Sequence, residues 1–164
     1  MSFKVVGDDE LVKKLVKLSD ETEAIFKQAL FEGAKDVADS VKASMNSIPV
    51  DNRTHGSEED PLKGLTAKQK EDCIAAMGIA EFKGESTIDT HIGFDGYTVN
   101  ANNSTSRKYP KGIPIPMLMR ALESGTSFRS KYPAVRNGIN KARSKAAASM
   151  EKELKKQIDE RFGG

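Results

Sequence analysis

Two histidines, one cysteine and one acidic run are the side chains in this sequence with types suited to chemistry. His55 falls in a charged, breaker-rich segment. His91 lies on the outer face of an alternating strand pattern, and Cys73 follows a helical pattern beside Ile74. A metal centre needs three or four such ligands at short, repeated spacings, and one loop imidazole, one strand imidazole and one helical thiol do not provide them. Each histidine reads as a surface residue. Cys73 reads as a small buried or half-buried hydrophobe rather than a nucleophile. Ser57-Glu58-Glu59-Asp60 lacks the ligand spacing of a calcium loop and reads as solvating charge. Gly112 and Gly125 are isolated, so no phosphate-cradling loop is present, and no serine occupies a nucleophile elbow. The expectation is no catalytic residue, no cofactor and no metal.

The second chemical feature is charge. Between Phe128 and Phe162 there are ten Lys/Arg against four acids, a net +6, which leaves −4 on the rest of a chain whose overall charge is +2. Arg129, Lys131, Arg136, Lys141, Arg143 and Lys145 could contact phosphates, with Phe128 and Tyr132 available for stacking. They could equally meet an acidic face on another copy of the chain, or simply solvate a helix. No zinc-finger, RNP or helix-turn-helix signature accompanies them.

Composition narrows the class. Apolar residues make up 37%, charged residues 30%, and Trp is absent. That is lean for a self-sufficient core and suits long surface helices with part of their burial supplied by neighbours. The 164 residues suggest one domain, 1–164. A single cysteine excludes an intramolecular disulfide and points to a reducing compartment. No signal-peptide run opens the chain, and nothing approaches the roughly 20 apolar residues of a membrane span.

The elements that position these residues follow from periodicity. Phe3–Val6 reads as a short edge strand ended by Gly7, then Leu11, Leu15 and Leu18 as the inner face of a short helix. Asp20 with Glu23 looks like a second helix start, a capping-box variant. Its stripe is Phe26, Leu30, Ala34, Val37, Val41 and Met45, and Gly33 within it implies a close crossing. Residues 51–64 read as a mobile loop. Thr66 caps a helix over 67–77, with Ile74 and Met77 inward. Ile88–Phe94 alternates as a strand, Asp95-Gly96 as a hairpin turn and Tyr97–Ala101 as the return, with Glu81–Lys83 as a third strand. A loop over 102–112 precedes Pro116, which suits the first turn of a helix through Met117, Leu118, Ala121 and Leu122 that Gly125 ends. Pro133 opens the last helix, with the stripe Val135, Ile139, Ala142, Ala146, Met150, Leu154, Ile158 and Phe162. The predicted fold is α+β: a small antiparallel sheet (hairpin about 87–101) packed by two long amphipathic helices, about 20–46 and 133–162.

Three stretches carry a family resemblance: "VVGDDELVKKLVKL" (5–18), "IPVD" (48–51) and "ALESGTSFRSKYPAVRNGINKA" (121–142). Together with the element order, they resemble the Hong Kong 97-type tail-component family of long-tailed bacteriophages, the neck or tail-completion proteins. Ser124 departs from the aromatic the family commonly has there. The resemblance implies a non-enzymatic virion protein of a phage or prophage, assembled in the bacterial cytoplasm and acting in head–tail joining or tail completion. The implied partners are a second copy of itself in a ring, of hexameric or dodecameric type, other neck and tail proteins, and non-specific DNA in the channel; no membrane is implied. The candidate interface is Glu123, Gly125, Thr126, Phe128, Arg129, Lys131, Tyr132, Arg136, Lys141, Arg143 and Lys145. The alternatives are a DNA-binding or DNA-packaging accessory using the basic C-terminal helix, and a toxin-like or regulatory module of a mobile element.

Overall fold

Two long helices set the frame. In the computed structural model, residues 9–82, 88–99 and 107–162 are described, with side chains for residues 21–161 within those ranges. Helix α1 spans Asp9–Asn46, 38 residues, and helix α4 spans Ala134–Phe162, 29 residues. At 1.5 Å per residue they are about 57 and about 44 Å long. They run antiparallel: Gly138 sits against Val41, Lys145 pairs with Asp36 at 2.7 Å, and Arg161 reaches the Glu21 carbonyl at 3.5 Å.

Small residues make this seam. Ala29 and Gly33 on α1, and Ala134, Gly138, Ala142 and Ala146 on α4, are buried at intervals of four. A Cβ at Gly138 would stand 2.6 Å from the Val41 Cα, and one at Gly33 would run into the Met150 thioether. The backbones therefore approach closely, as Gly33 led one to expect. Ser40 Oγ donates across the seam to the Gly138 carbonyl at 2.9 Å.

The predicted stripes hold in part. On α4, Ala142 and Ala146 of the expected stripe are buried, but before them the buried residues are Ala134 and Gly138 rather than Val135 and Ile139, and Ile139 is 45% exposed and Ile158 43%. On α1, Ala34, Val41 and Met45 are buried as expected, but Phe26 is 44% exposed. The rest of the fold covers only the C-terminal part of α1. The expected restart at Asp20 does not occur, because α1 is one continuous helix. Once a helix is nucleated, each further residue adds a backbone hydrogen bond, and this outweighs a local capping signal. The strand expected at Phe3–Val6, and the side chains of Leu11, Leu15, Leu18 and Phe162, lie outside the described residues.

The small elements pack on the C-terminal third of α1. Helix α2 (Ala67–Ala75) starts at a capping box: Gln69 N donates to Thr66 Oγ1 at 3.2 Å, and Thr66 N to Gln69 Oε1 at 3.3 Å. Strand β1 (Met77–Ile79) pairs antiparallel with β2 (Ile92–Phe94), and β3 (Tyr97–Thr98) with β4 (Ile113–Pro114). Helix α3 follows over Ile115–Ser124 with a proline in its first turn, and Gly125, at φ 76°, ends it. Met45, Ile48, Leu65, Cys73, Ile115 and Leu122 form the centre of the core.

The architecture is α+β with small antiparallel sheets and long helices, as the sequence indicates, but the strand pairing differs. Asp95-Gly96 does turn the chain, with Gly96 at φ 83°. It does not join a hairpin: β2 and β3 belong to separate two-stranded sheets. The third strand is 77–79 rather than 81–83, directly after α2. Residues 81–82 are irregular, and Lys83 lies outside the described residues, as do 87, 100 and 101 of the expected hairpin and 102–106 of the expected loop.

Candidate functional site

The corner between α3 and α4 collects most of the predicted interface residues. It is a reversed turn: Thr126 N donates to the Arg129 carbonyl at 2.9 Å and Arg129 N to the Thr126 carbonyl at 3.2 Å. Ser127 and Phe128 form its tip. Gly125 supplies the left-handed backbone at its base, a conformation in which a Cβ is strained.

Much of the corner's polar chemistry is spent on its own backbone. Glu123 Oε1 accepts from Val135 N at 2.6 Å and Oε2 from Arg136 N at 3.3 Å. Pro133 cannot cap α4 through its own side chain, so a carboxylate from α3 neutralises the exposed amides and the positive end of the helix. Tyr132 Oη donates to the Ser47 carbonyl at 2.7 Å, tying the corner to the end of α1. The Arg129 guanidinium turns inward and donates to the Gly64 carbonyl. Burial holds its pKa below the ordinary arginine value.

The segment 51–64 is fastened to this corner. Leu62 N donates to the Phe128 carbonyl at 2.9 Å, and Ser130 N to the Leu62 carbonyl at 2.8 Å. Asp51 and Arg53 form a two-point fork at 2.8 and 2.9 Å, and Lys63 N donates to Asp51 at 2.9 Å. The Arg53 fork, seconded by the Lys63 amide, holds the Asp51 carboxyl well below the usual carboxylate range. Residues Ser57–Asp60 close a further turn, with Glu58 and Glu59 exposed at its tip.

The basic residues divide into two sets. Lys145 is held by Asp36, which keeps that carboxyl low and the lysine high. Lys155 pairs with Glu151 at 2.6 Å and Lys156 with Glu153 at 3.7 Å. Lys131, Arg136, Lys141 and Arg143 remain exposed, with Phe128 and Thr126. Glu123, Arg129 and Tyr132 therefore act inside the chain, whereas Phe128, Lys131, Arg136, Lys141 and Arg143 face outward. The sequence did carry a signal for Glu123: with proline at 133 and no Ser, Thr, Asp or Asn at 131–134, the first amides of α4 need a partner from elsewhere.

The side chains first considered for chemistry are dispersed. Cys73 is fully buried, and burial, with Asp72 beside it, pushes its thiol up to about 12. Both histidines are exposed, and among the described residues no group of three or more His, Cys, Asp or Glu is placed to hold a metal ion. Among the same residues no helix is long and apolar enough to cross a membrane.

The chain is thus a helical arm carrying a small α+β body, with its polar corner engaged in fixing backbone and several large apolar residues turned outward. Residues 9–78 match the family model HK97-gp10_like, "Bacteriophage HK97-gp10, putative tail-component". The family that the sequence resembles is the one this part of the chain matches, over α1, the 51–64 segment, α2 and the start of β1. The corner stretch 121–142 lies outside the matched range. No curated protein and no solved structure gives a significant match.

Proposed function

We propose that this chain is a structural virion protein of a long-tailed phage or prophage, acting in head–tail joining or tail completion through ring-type assembly of its own copies. The observation that carries the reading is the match of residues 9–78 to a phage tail-component family. The exposed apolar side chains Phe26, Phe31, Phe128, Ile139 and Ile158 support it, since scattered large hydrophobics on a lean core suit burial against neighbours. Lys145, Lys155 and Lys156 are engaged by carboxylates of the same chain, which leaves those three less available to DNA phosphates.

The test is a nonsense mutation of the gene in its phage, followed by electron microscopy of the lysate. Filled heads lying apart from tails, or tails of aberrant ends, are the expected products, with rescue by the gene supplied in trans. A normal yield of intact, infectious particles would overturn the proposal.

A further inference from the structure

Two surfaces of this chain complement each other in shape and in charge. The first is a knob. Phe128 is the most exposed large apolar side chain among the described residues, at 61%. Its backbone is pinned on both sides, by Leu62 N to its carbonyl and by the reversed turn of Thr126 and Arg129. The backbone is thus fixed while the ring stands in solvent. Gly56 packs against the Phe128 carbonyl so closely that a Cβ there would clash. The turn that follows Gly56 carries the exposed Glu58 and Glu59, two and three residues from this contact with the Phe128 backbone. Neither glutamate has an ion-pair partner among the described residues. Lys63 and Lys131 also flank the turn.

The second surface is a groove of about 230 Å3 where β2 meets the two long helices, lined by Val37, Val41, Met77, Ile92, Phe94 and Ile139. A cavity of about 150 Å3 already accommodates a benzene ring, so a phenylalanine side chain fits. Phe94 offers it an aromatic partner. On the α4 side the rim is cationic: Arg136 and Arg143 lie three and four residues from Ile139, on the same helical face. Both are exposed and have no ion-pair partner among the described residues. The strand side of the groove is formed by Thr90, His91, Ile92, Gly93 and Phe94, with Asp89 and Asp95 adjoining it in sequence.

We infer that the groove receives Phe128 of a second copy of this chain, with Glu58 and Glu59 of that copy against Arg136 and Arg143. The inference rests on the assembly reading above and specifies its contact. Knob and groove are different patches of one surface, so two copies can exchange knobs as a twofold dimer, or each copy can donate its knob to one neighbour and receive that of another, a heterologous contact. A repeated contact of this kind closes into a ring when its rotation divides a full turn, and otherwise propagates as a filament.

Sedimentation velocity on the full chain over a wide concentration range tests it. Phe128→Asp and Ile139→Asp alter exposed positions, and unchanged circular dichroism melts establish that both variants fold. Each is expected to raise the concentration for half-association at least tenfold. The reversal Glu58→Lys with Glu59→Lys is expected to weaken association, and Arg136→Glu with Arg143→Glu to restore it. Mixing Phe128→Cys chains with Ile139→Cys chains under oxidised glutathione is expected to give a disulfide-linked dimer, since buried Cys73 does not compete. If the wild-type multimer persists in both aspartate variants and the mixed disulfide does not form, the knob-and-groove contact is wrong while the assembly reading stands. A chain that stays monomeric at every concentration and forms no mixed disulfide also overturns the contact; the role in the tail is then decided by the mutant-phage lysate alone.

Discussion

Alanine at the two seam glycines separates backbone contact from side-chain contact between the long helices. At Gly138 the new Cβ would lie 2.6 Å from the Val41 Cα and 2.9 Å from its backbone nitrogen. Backbone atoms inside a helix cannot step aside, so α1 and α4 must separate locally. Because the obstacle is backbone, the cost lies in the upper part of the overpacking range, about 2–3 kcal/mol, and replacing glycine inside a helix returns about 1 kcal/mol. The net expectation for Gly138→Ala is a loss of about 1–2 kcal/mol. In a chain of this size that lowers Tm by about 2–8 °C, at about 2–4 °C per kcal/mol. At Gly33 the obstacle is the Met150 side chain from Cγ to Cε and no backbone atom, and its three rotatable bonds let it swing away. The propensity gain of about 1 kcal/mol then offsets a rotamer change of similar size, so Gly33→Ala is expected within about 1 kcal/mol of wild type. Paired urea melts of the two variants provide the measurement. A Gly138→Ala protein as stable as wild type, or a Gly33→Ala protein that is the weaker of the two, would refute a seam set by backbone approach at residue 138.

Two further outcomes follow from the corner. Glu123→Ala removes two charge-assisted hydrogen bonds from the start of α4; a loss of about 1–2 kcal/mol is expected in denaturant melts, the range for losing a helix cap, with earlier amide exchange at Val135 and Arg136. Asp51 titrates in the folded chain well below its unfolded value near 3.9, so the unfolded state binds the proton first as pH falls. Its contribution is complete above about pH 4 and declines below that. The Asp51→Asn variant should accordingly show a flatter stability-versus-pH curve on the acid side than wild type, and an unchanged slope there would show that the Arg53 fork does not stabilise the fold.

Periodicity in the sequence located all four described helices, and capping chemistry placed the starts of α2 and α3 and the end of α3. It also gives Ala34, Val41 and Met45 of α1 and Ala142 and Ala146 of α4, all buried, but misses Ala29, Ala134 and Gly138, whose small size carries little hydrophobic signal and which the close approach of the two helices buries. The Asp95-Gly96 turn was legible because glycine's backbone freedom is local. Its strand partners were not, because pairing depends on how β1 and β4, 15 or so residues away on either side, dock on α1 and α3 respectively. In the corner, the outward direction of Phe128, Arg136 and Arg143 could be read from helix phase and turn chemistry. The inward turn of Arg129 could not, since its partner is a backbone carbonyl 65 residues earlier.

The antiparallel seam also has a mechanical character. Gly138 against Val41, Lys145 against Asp36 and Met150 against Gly33 all match in one register, and sliding one helix by a turn would mismatch every one of them together. A pull along the axis of the two helices is therefore resisted in shear, with the contacts sharing the load, whereas a pull across the axis would peel them apart one at a time. The arm is a stiff strut lengthwise and a zipper sideways, so it bears tension best when its long axis lies along the direction of strain.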